Sequence, residues 1–431
     1  MTPERVQRTY VTLVLLQNLA ASLIWGVNTL FLLDAGLSLT EAFVANAAFT
    51  AGMVIFEVPT GVVADAQGRR ASFILGAATL LLTTMAYLGL WVWSAGIIWW
   101  VLVSALIGLG FTFFSGATEA WLVDALAETG YEGSLETVFG RGQAAMGVAV
   151  LVGTILGGVL GTFSLGLPYV ARSILLIAVI WAAYLWMHDL GFQPRKGGSI
   201  KAEVRSIISG SITHGIRNPP IRLFMFGAPF AAGIGIWVFY AFQPYLLELF
   251  GDPDAIYLSG IAAALFAIAQ IAGGSSVSLV RRYFKSRTSV ITGEIVLGSA
   301  ALIFVGLADG LARPWGFWVA IALLAMTALL WALSGPMQQA YMNEVIPSEQ
   351  RATVLSFASL MGSAGGVVAQ PALGKVADVY SLGTGYIVAG VAYAVRLPFI
   401  IGVKRLGLEA DRVAMPDAAV PSPGDESGII D

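Results

Sequence analysis

Five charged residues stand inside long apolar runs, where a charge is costly and therefore informative: Glu57, Glu119, Arg172, Glu294 and Arg396. A carboxylate surrounded by hydrocarbon favours its neutral form. If it meets water at another moment, it can load and release a proton. Glu57 is the first candidate for that role. Asn46, Thr50, Met53 and Glu57 follow i, i+4, i+7, i+11 and share one helical face. The pattern also suits a structural glutamate bonded to backbone or to a neighbouring hydroxyl, and Pro59 just beyond marks a bend under either account. Glu119, shortly before Asp124, is the second candidate. Glu294 is a third, but it lies only about six residues into its run, where snorkelling to the interface is the plainer account. Arg172 is close to the end of its run and can snorkel too. Arg396 lies mid-run and needs a partner that the sequence does not name.

The elements that position these residues are membrane spans. The 431 residues are 57% hydrophobic and only 11% charged, against about 25% charge in a soluble domain. Such a chain cannot cover itself with polar surface in water. A spanning helix needs roughly 20 apolar residues. The runs predict twelve spans, over 9–33, 41–64, 71–93, 96–125, 137–162, 167–189, 221–249, 255–280, 288–308, 314–343, 352–379 and 383–403. The charged stretch 191–220 is a linker that separates two six-span halves, residues 1–190 and 221–403. Within it Ile200, Val204, Ile207 and Ile208 predict an amphipathic helix over 199–215 on the membrane surface. Residues 404–431 read as a disordered tail. The N-terminus lacks the small-residue cleavage site of a signal peptide, so the first run is expected to remain as a span.

Composition also excludes chemistry. A net charge of −3 argues against a nucleic-acid partner. Cysteine is absent, which removes disulfides, a thiol nucleophile and cysteine metal sites. Only His188 and His214 offer imidazole. No metal, no cofactor and no enzymatic activity are expected. The loops on one side collect every basic residue except Arg172, Arg313, Lys375 and Arg396. The positive-inside rule therefore predicts a multi-pass cell-membrane protein with both termini cytoplasmic.

Two patterns go beyond topology. Ser115-Gly116 with Ala120-Trp121-Leu122-Val123-Asp124 echoes Ser334-Gly335 with Ala340-Tyr341-Met342-Asn343-Glu344, at an offset of 219 to 220 residues. Repeated halves place a substrate site between them near the bilayer midplane. Between spans two and three stands Gly61-Val62-Val63-Ala64-Asp65-Ala66-Gln67-Gly68-Arg69-Arg70. It resembles the cytoplasmic signature loop of the major facilitator superfamily, G-x-L-A-D-R-x-G-R-R/K, with Val63 and Ala66 as departures. With the layout and the repeat, the resemblance covers about residues 9–403 and extends to bacterial drug-efflux-type members. It implies an all-α membrane fold of twelve helices working by alternating access. Gly61, Asp65, Gly68, Arg69, Arg70 and Asp124 would then form a latch closing the cytoplasmic side, with Asp65 facing the start of span eleven, whose dipole favours an anion. A plain basic topogenic loop is the alternative. The equivalent loop over 278–287 lost the Gly-Asp pattern, so one strong latch is expected rather than two.

Proton-driven exporters of the superfamily often carry a glycine-proline pattern in span five. Here Gly147, Gly153, Gly157, Gly158 and Gly161 are present and Thr154 stands in place of proline; the glycines also suit close helix packing. Family architecture sets spans one, four, seven and ten around the cavity. Gln17, Trp25, Asn28, Phe114, Trp237, Tyr240, Gln243, Trp331 and Gln338 lie on their polar and aromatic faces and become candidate substrate contacts. Those four spans hold no basic residue in their interiors, which disfavours an anionic substrate. The expected function is proton-coupled export of a small amphipathic neutral or cationic solute, by a monomer surrounded by lipid, with Glu57 or Glu119 carrying the proton. Uptake of a neutral solute is the nearer alternative, and a non-transporting sensor or enzyme the remote one.

Overall fold

The computed structural model describes residues 1–193, 205, 209, 215–347 and 350–413. The expected linker helix lies almost wholly outside them, as does the expected disordered tail beyond residue 413; its first residues, 404–413, are instead ordered, with span twelve running to Arg405 and Asp411 bonded to Thr288. The described chain is helical, with no strand beyond one isolated bridge between Ser286 and Arg412. Lipid imposes this, because each backbone N–H and C=O must find its partner within the chain.

In the N-terminal half, span one is Pro3–Ser22 continued by Asn28–Asp34, span two Leu39–Gln67 and span three Arg69–Val92. Span four is Ile97–Thr112 continued by Ala117–Glu128, span five Leu135–Phe163 and span six Leu167–Trp186. In the second half, span seven is Pro219–Phe250 and span eight Tyr257–Ser275, followed by the short Val277–Tyr283. Spans nine, ten and eleven are Arg287–Gly306, Trp315–Val345 and Arg351–Val379. Span twelve is Leu382–Ala394 continued by Leu397–Arg405. Eleven of these are long and apolar enough to cross a membrane. Span one completes the twelve: it is broken at residues 23–27 and its start is polar.

Local chemistry sets the ends and the breaks. Ser38 and Glu41 form a capping box at the start of span two, and Ser134 and Ser381 cap spans five and twelve. Span four breaks at residues 113–116, where Gly116 takes a left-handed φ of 69°. Span twelve breaks just before Pro398, which cannot donate to the preceding turn.

Each half has its own apolar core. Each half also ties its last span to its third by a carboxylate. Asp189 follows span six, and its Oδ1 accepts the Arg70 N–H at 2.9 Å where span three begins. Asp411 follows span twelve, and its Oδ1 accepts the Thr288 N–H at 2.7 Å where span nine begins. A carboxylate there satisfies an orphan donor and meets the positive end of the helix dipole. The repeat legible at span four thus recurs in how each half is braced.

The halves meet along spans two and eleven and along spans five and eight. Glycine allows the second contact: a Cβ on Gly158 would lie 2.8 Å from Gly260 Cα. In lipid, close approach of this kind replaces the hydrophobic drive of a soluble core.

Candidate functional site

A cavity of about 1040 Å³ lies against the second half. Its walls come from spans two, seven, eight, ten, eleven and twelve. The lining runs from mid-membrane to Phe224, Met342 and Leu355, near the ends of spans seven, ten and eleven on the side where most basic residues lie. The lining reaches that basic side, where no ion pair joins the halves among the described residues. The opposite side is sealed by contacts between the halves. Gln243 donates to Trp25 O at 2.8 Å and accepts the Thr29 N–H at 2.7 Å. Gln370 donates to Thr50 Oγ1 at 3.1 Å, and Thr40 donates to Asp378 at 2.8 Å. Phe43 stacks on Trp237 across the same seam, ring centroids 5.7 Å apart.

The cavity surface is largely apolar and aromatic, with Phe49, Met53, Phe239 and Trp331. Amides and hydroxyls break it at Gln270, Gln338, Gln339, Ser359 and Ser363. Its charged lining residue is Arg396, which corrects the expectation of a cavity without fixed positive charge. The reason is that span twelve also reaches the wall, beyond the four spans that the family architecture sets around the cavity.

Behind Arg396 stands the partner it needed. Glu294, on span nine, is 2% exposed. Its Oε2 lies 3.4 Å from Arg396 Nη1, and its Oε1 accepts from the Tyr393 hydroxyl. Arg396 also donates to Tyr393, and the Trp331 ring covers Tyr393 at 5.9 Å. Tyr393 and Arg396 face the cavity, with the carboxylate shut behind them. Glu294 therefore does not snorkel. Its side chain turns inward to a cation, which outweighs reaching an interface.

Arg172 does not snorkel either. It is 1% exposed, donates from Nε to Thr84 Oγ1 at 3.1 Å, and lies 5.8 Å over the Phe111 ring. None of the described ion pairs includes it.

Of the two acids expected to carry a proton, Glu57 accepts from Ser115 Oγ at 2.7 Å beside the break in span four. Glu119 is exposed on the same span. Neither lines the cavity. Of the nine expected substrate contacts, Tyr240, Trp331 and Gln338 line it. Trp25 and Gln243 lie instead at the closed seam, and Asn28 is bonded within its own half to Asn46 and Tyr169. Trp237 is fully buried between Phe43 and Tyr386, and Phe114 packs on Phe73. Gln17 is half-buried outside the lining. A stripe of aromatic residues at helical spacing suits a core face and a cavity face equally, and here the core took these two.

The signature loop is ordered within its own half. Gly68 takes a φ of 108°, a conformation that a side chain would strain, and Asp65 pairs with Arg69 at 2.6 Å. Arg70 donates to Tyr184 O at 2.6 Å, besides its backbone bond to Asp189. Asp65, Arg69 and Asp124 border one small polar pocket. Gly61 has no neighbour within 4 Å of an added Cβ, as fits a side on which the halves stand apart.

Known proteins match this architecture. A curated relative, the uncharacterized MFS-type transporter YxaM of Bacillus subtilis, is 21% identical over 392 residues, 90% of this chain and 92% of its own length. The class G tetracycline resistance protein of Vibrio anguillarum is 32% identical over 124 residues; this covers 28% of the chain and only 29% of that relative's length. Among solved structures, the nucleoside transporter NupG superposes with a TM-score of 0.73 at 13% identity, covering 93% of this chain and 99% of its own. A D-xylose-proton symporter gives 0.67 at 14%, covering 93% and 97%. An inward-facing, unoccupied bacterial homolog of the human lysosomal transporter Spinster gives 0.65 at 16%, covering 94% and 95%. These identities speak for the fold alone. The family model described as Major Facilitator Superfamily matches residues 11–398, nearly the whole helical chain, and the protein belongs to that superfamily of membrane transporters.

Proposed function

We propose that this transporter exports a small amphipathic organic solute in exchange for protons, with its basic side in the cytoplasm. The observation that carries the reading is the Glu294–Tyr393–Arg396 set, two of whose members form cavity wall. A cationic solute, expected from the sequence, is withdrawn, because the charged group on that wall is itself a cation. Arg396 is offset by Glu294, so the wall suits a body held by apolar contact and amide hydrogen bonds.

The pair also suggests an order of events. With the cavity open to the basic side and empty, Glu294 is paired and therefore deprotonated. Its proton has already left on that side, and the cavity is ready to load solute from there. After the halves rock to open the other side, Arg396 withdraws. A buried carboxylate left without its partner costs several kcal/mol, so Glu294 takes a proton from the outside water. Protonation and solute release then coincide, as an exchanger requires.

The test is solute accumulation in proteoliposomes under an imposed pH gradient, with a panel of dyes and neutral solutes. Glu294→Gln should abolish gradient-driven accumulation while passive exchange continues. Glu57→Gln and Glu119→Gln should retain it. If Glu294→Gln accumulates solute as the wild type does, the coupling site is wrong. Sidedness is read with single cysteines in this cysteine-free chain: Asp252→Cys and Gly310→Cys should label from outside, and Glu132→Cys should not.

A further inference from the structure

We propose that Arg172 is a binding subsite for a carboxylate on the transported solute, uncovered when the sealed side opens. The proposal rests on the transport reading above and narrows its substrate class to amphipathic weak acids.

A guanidinium has five N–H donors and needs several acceptors once buried. Arg172 has one, Thr84 Oγ1, and its Nη1 has none. The titratable groups around it are Tyr87, Tyr169 and Tyr240, with no carboxylate among them. A buried cation so poorly matched is expensive to keep. Arg396, in the other half, differs in facing a buried carboxylate within the protein.

The surroundings favour a second donor as well. The Tyr169 hydroxyl donates to Asn28 Oδ1 at 2.9 Å, and Asn28 Nδ2 donates to Asn46 Oδ1 at 2.9 Å. The chain ends at Asn46 Nδ2, which is buried with no acceptor. Two buried donors, one cationic, therefore wait in the same half for an acceptor that the protein does not supply. A carboxylate offers about four lone-pair sites in the geometry that arginine fits best.

The location makes access a matter of conformation. Phe111 lies under Arg172 and meets Phe49 edge-on at 5.6 Å, and Phe49 and Tyr240 line the cavity. Arg172 thus sits behind the cavity's sealed end. Thr84, Tyr87, Phe111 and Tyr169 belong to its own half, and Tyr240 to the other. Separating the halves on the sealed side carries Tyr240 away and leaves the other four in place. A solute whose apolar body rests on these aromatic faces would bring its carboxylate to Nη1.

Binding can be measured on the purified full-length chain by intrinsic tryptophan fluorescence, without any gradient. The probes are 3-phenylpropionate, 3-phenylpropionamide and 3-phenylpropylamine, alike in body and different in charge. The wild type should bind the carboxylate about tenfold more tightly than the amide, and the amine most weakly. Arg172→Gln should bring carboxylate and amide to about the same affinity while amide binding persists, which also reports an intact fold; Arg172→Lys should keep part of the preference. Equal binding of the two probes by the wild type would overturn the proposal. So would a preference that survives Arg172→Gln, or one lost in Arg396→Gln instead. Because no proton gradient is involved, failure here is separate from failure of the exchange mechanism.

Discussion

Each half of this transporter buries an arginine on its last span, and the two are handled in opposite ways. In the second half, Arg396 faces Glu294 and Tyr393, and the charge is closed within the protein. In the first half, Arg172 has Thr84, three tyrosines and a phenylalanine ring, and no acid. The braces beneath are nearly the same, since Asp189 and Asp411 each hold the start of a third span. The divergence is therefore in how the two charges are paired and not in the scaffold. On our proposals, one half carries a charge pair that opens and closes around a proton, and the other a charge that takes its partner from the solute.

The sharpest way to break this comparison is stability in detergent, where the two arginines should respond with different sign. Arg396→Gln leaves Glu294 buried and unpaired and should cost about 3–5 kcal/mol in a denaturation series. Adding Glu294→Gln should recover most of that loss. Arg172→Gln removes a cation that has no acid and should leave stability unchanged or raise it. A large loss at Arg172 would mean that it, too, is neutralised within the protein.

A smaller effect is expected at the seam. Gly158→Val pushes side-chain atoms into the Gly260 backbone, which lies within van der Waals distance of an added Cβ. Overpacking of this kind costs about 1–3 kcal/mol and should disfavour the state with the sealed side closed. A cysteine introduced at Thr40, bonded across the seam to Asp378, should then label faster from that side than in the Gly158 parent.

The smallest effect belongs to the signature loop, where the latch is itself our proposal. The Asp65–Arg69 pair is partly exposed, so Asp65→Asn should change stability by no more than about 1 kcal/mol. Transport should nevertheless slow, because closing the basic side would bring this loop against span eleven. Wild-type transport by Asp65→Asn would leave the loop a topogenic feature.

Much of the scaffold was legible in the sequence because lipid imposes simple rules on length and polarity. Span two, expected over 41–64, forms Leu39–Gln67, and span eleven, expected over 352–379, forms Arg351–Val379. The breaks in spans one, four and twelve were not foreseen, since a hydropathy run does not report where a helix interrupts itself. The charge pair was half legible. Hydrocarbon flagged Glu294 and Arg396 separately, but nothing local joins residues 102 positions apart. Arg172 was not legible, because nearness to a span end does not tell access to an interface from burial under aromatic rings. Trp237 and Gln243 illustrate the last limit: their types and spacing suit a cavity, and only the packing of Phe43, Tyr386 and Thr29 around them shows a core and a seam.

The central claim is that Glu294 exchanges its proton against solute. The direct measurement is proton release from purified protein in weakly buffered detergent when a transported solute is added to saturation, read with a pH-sensitive dye. Because solute binds the paired, deprotonated form, adding it at a pH where part of the protein still holds the Glu294 proton should release that fraction, at most about one proton per chain. Glu294→Gln should release none, and Glu57→Gln and Glu119→Gln should behave as the wild type. Undiminished release from Glu294→Gln, or its loss in either of the other two, would contradict the account.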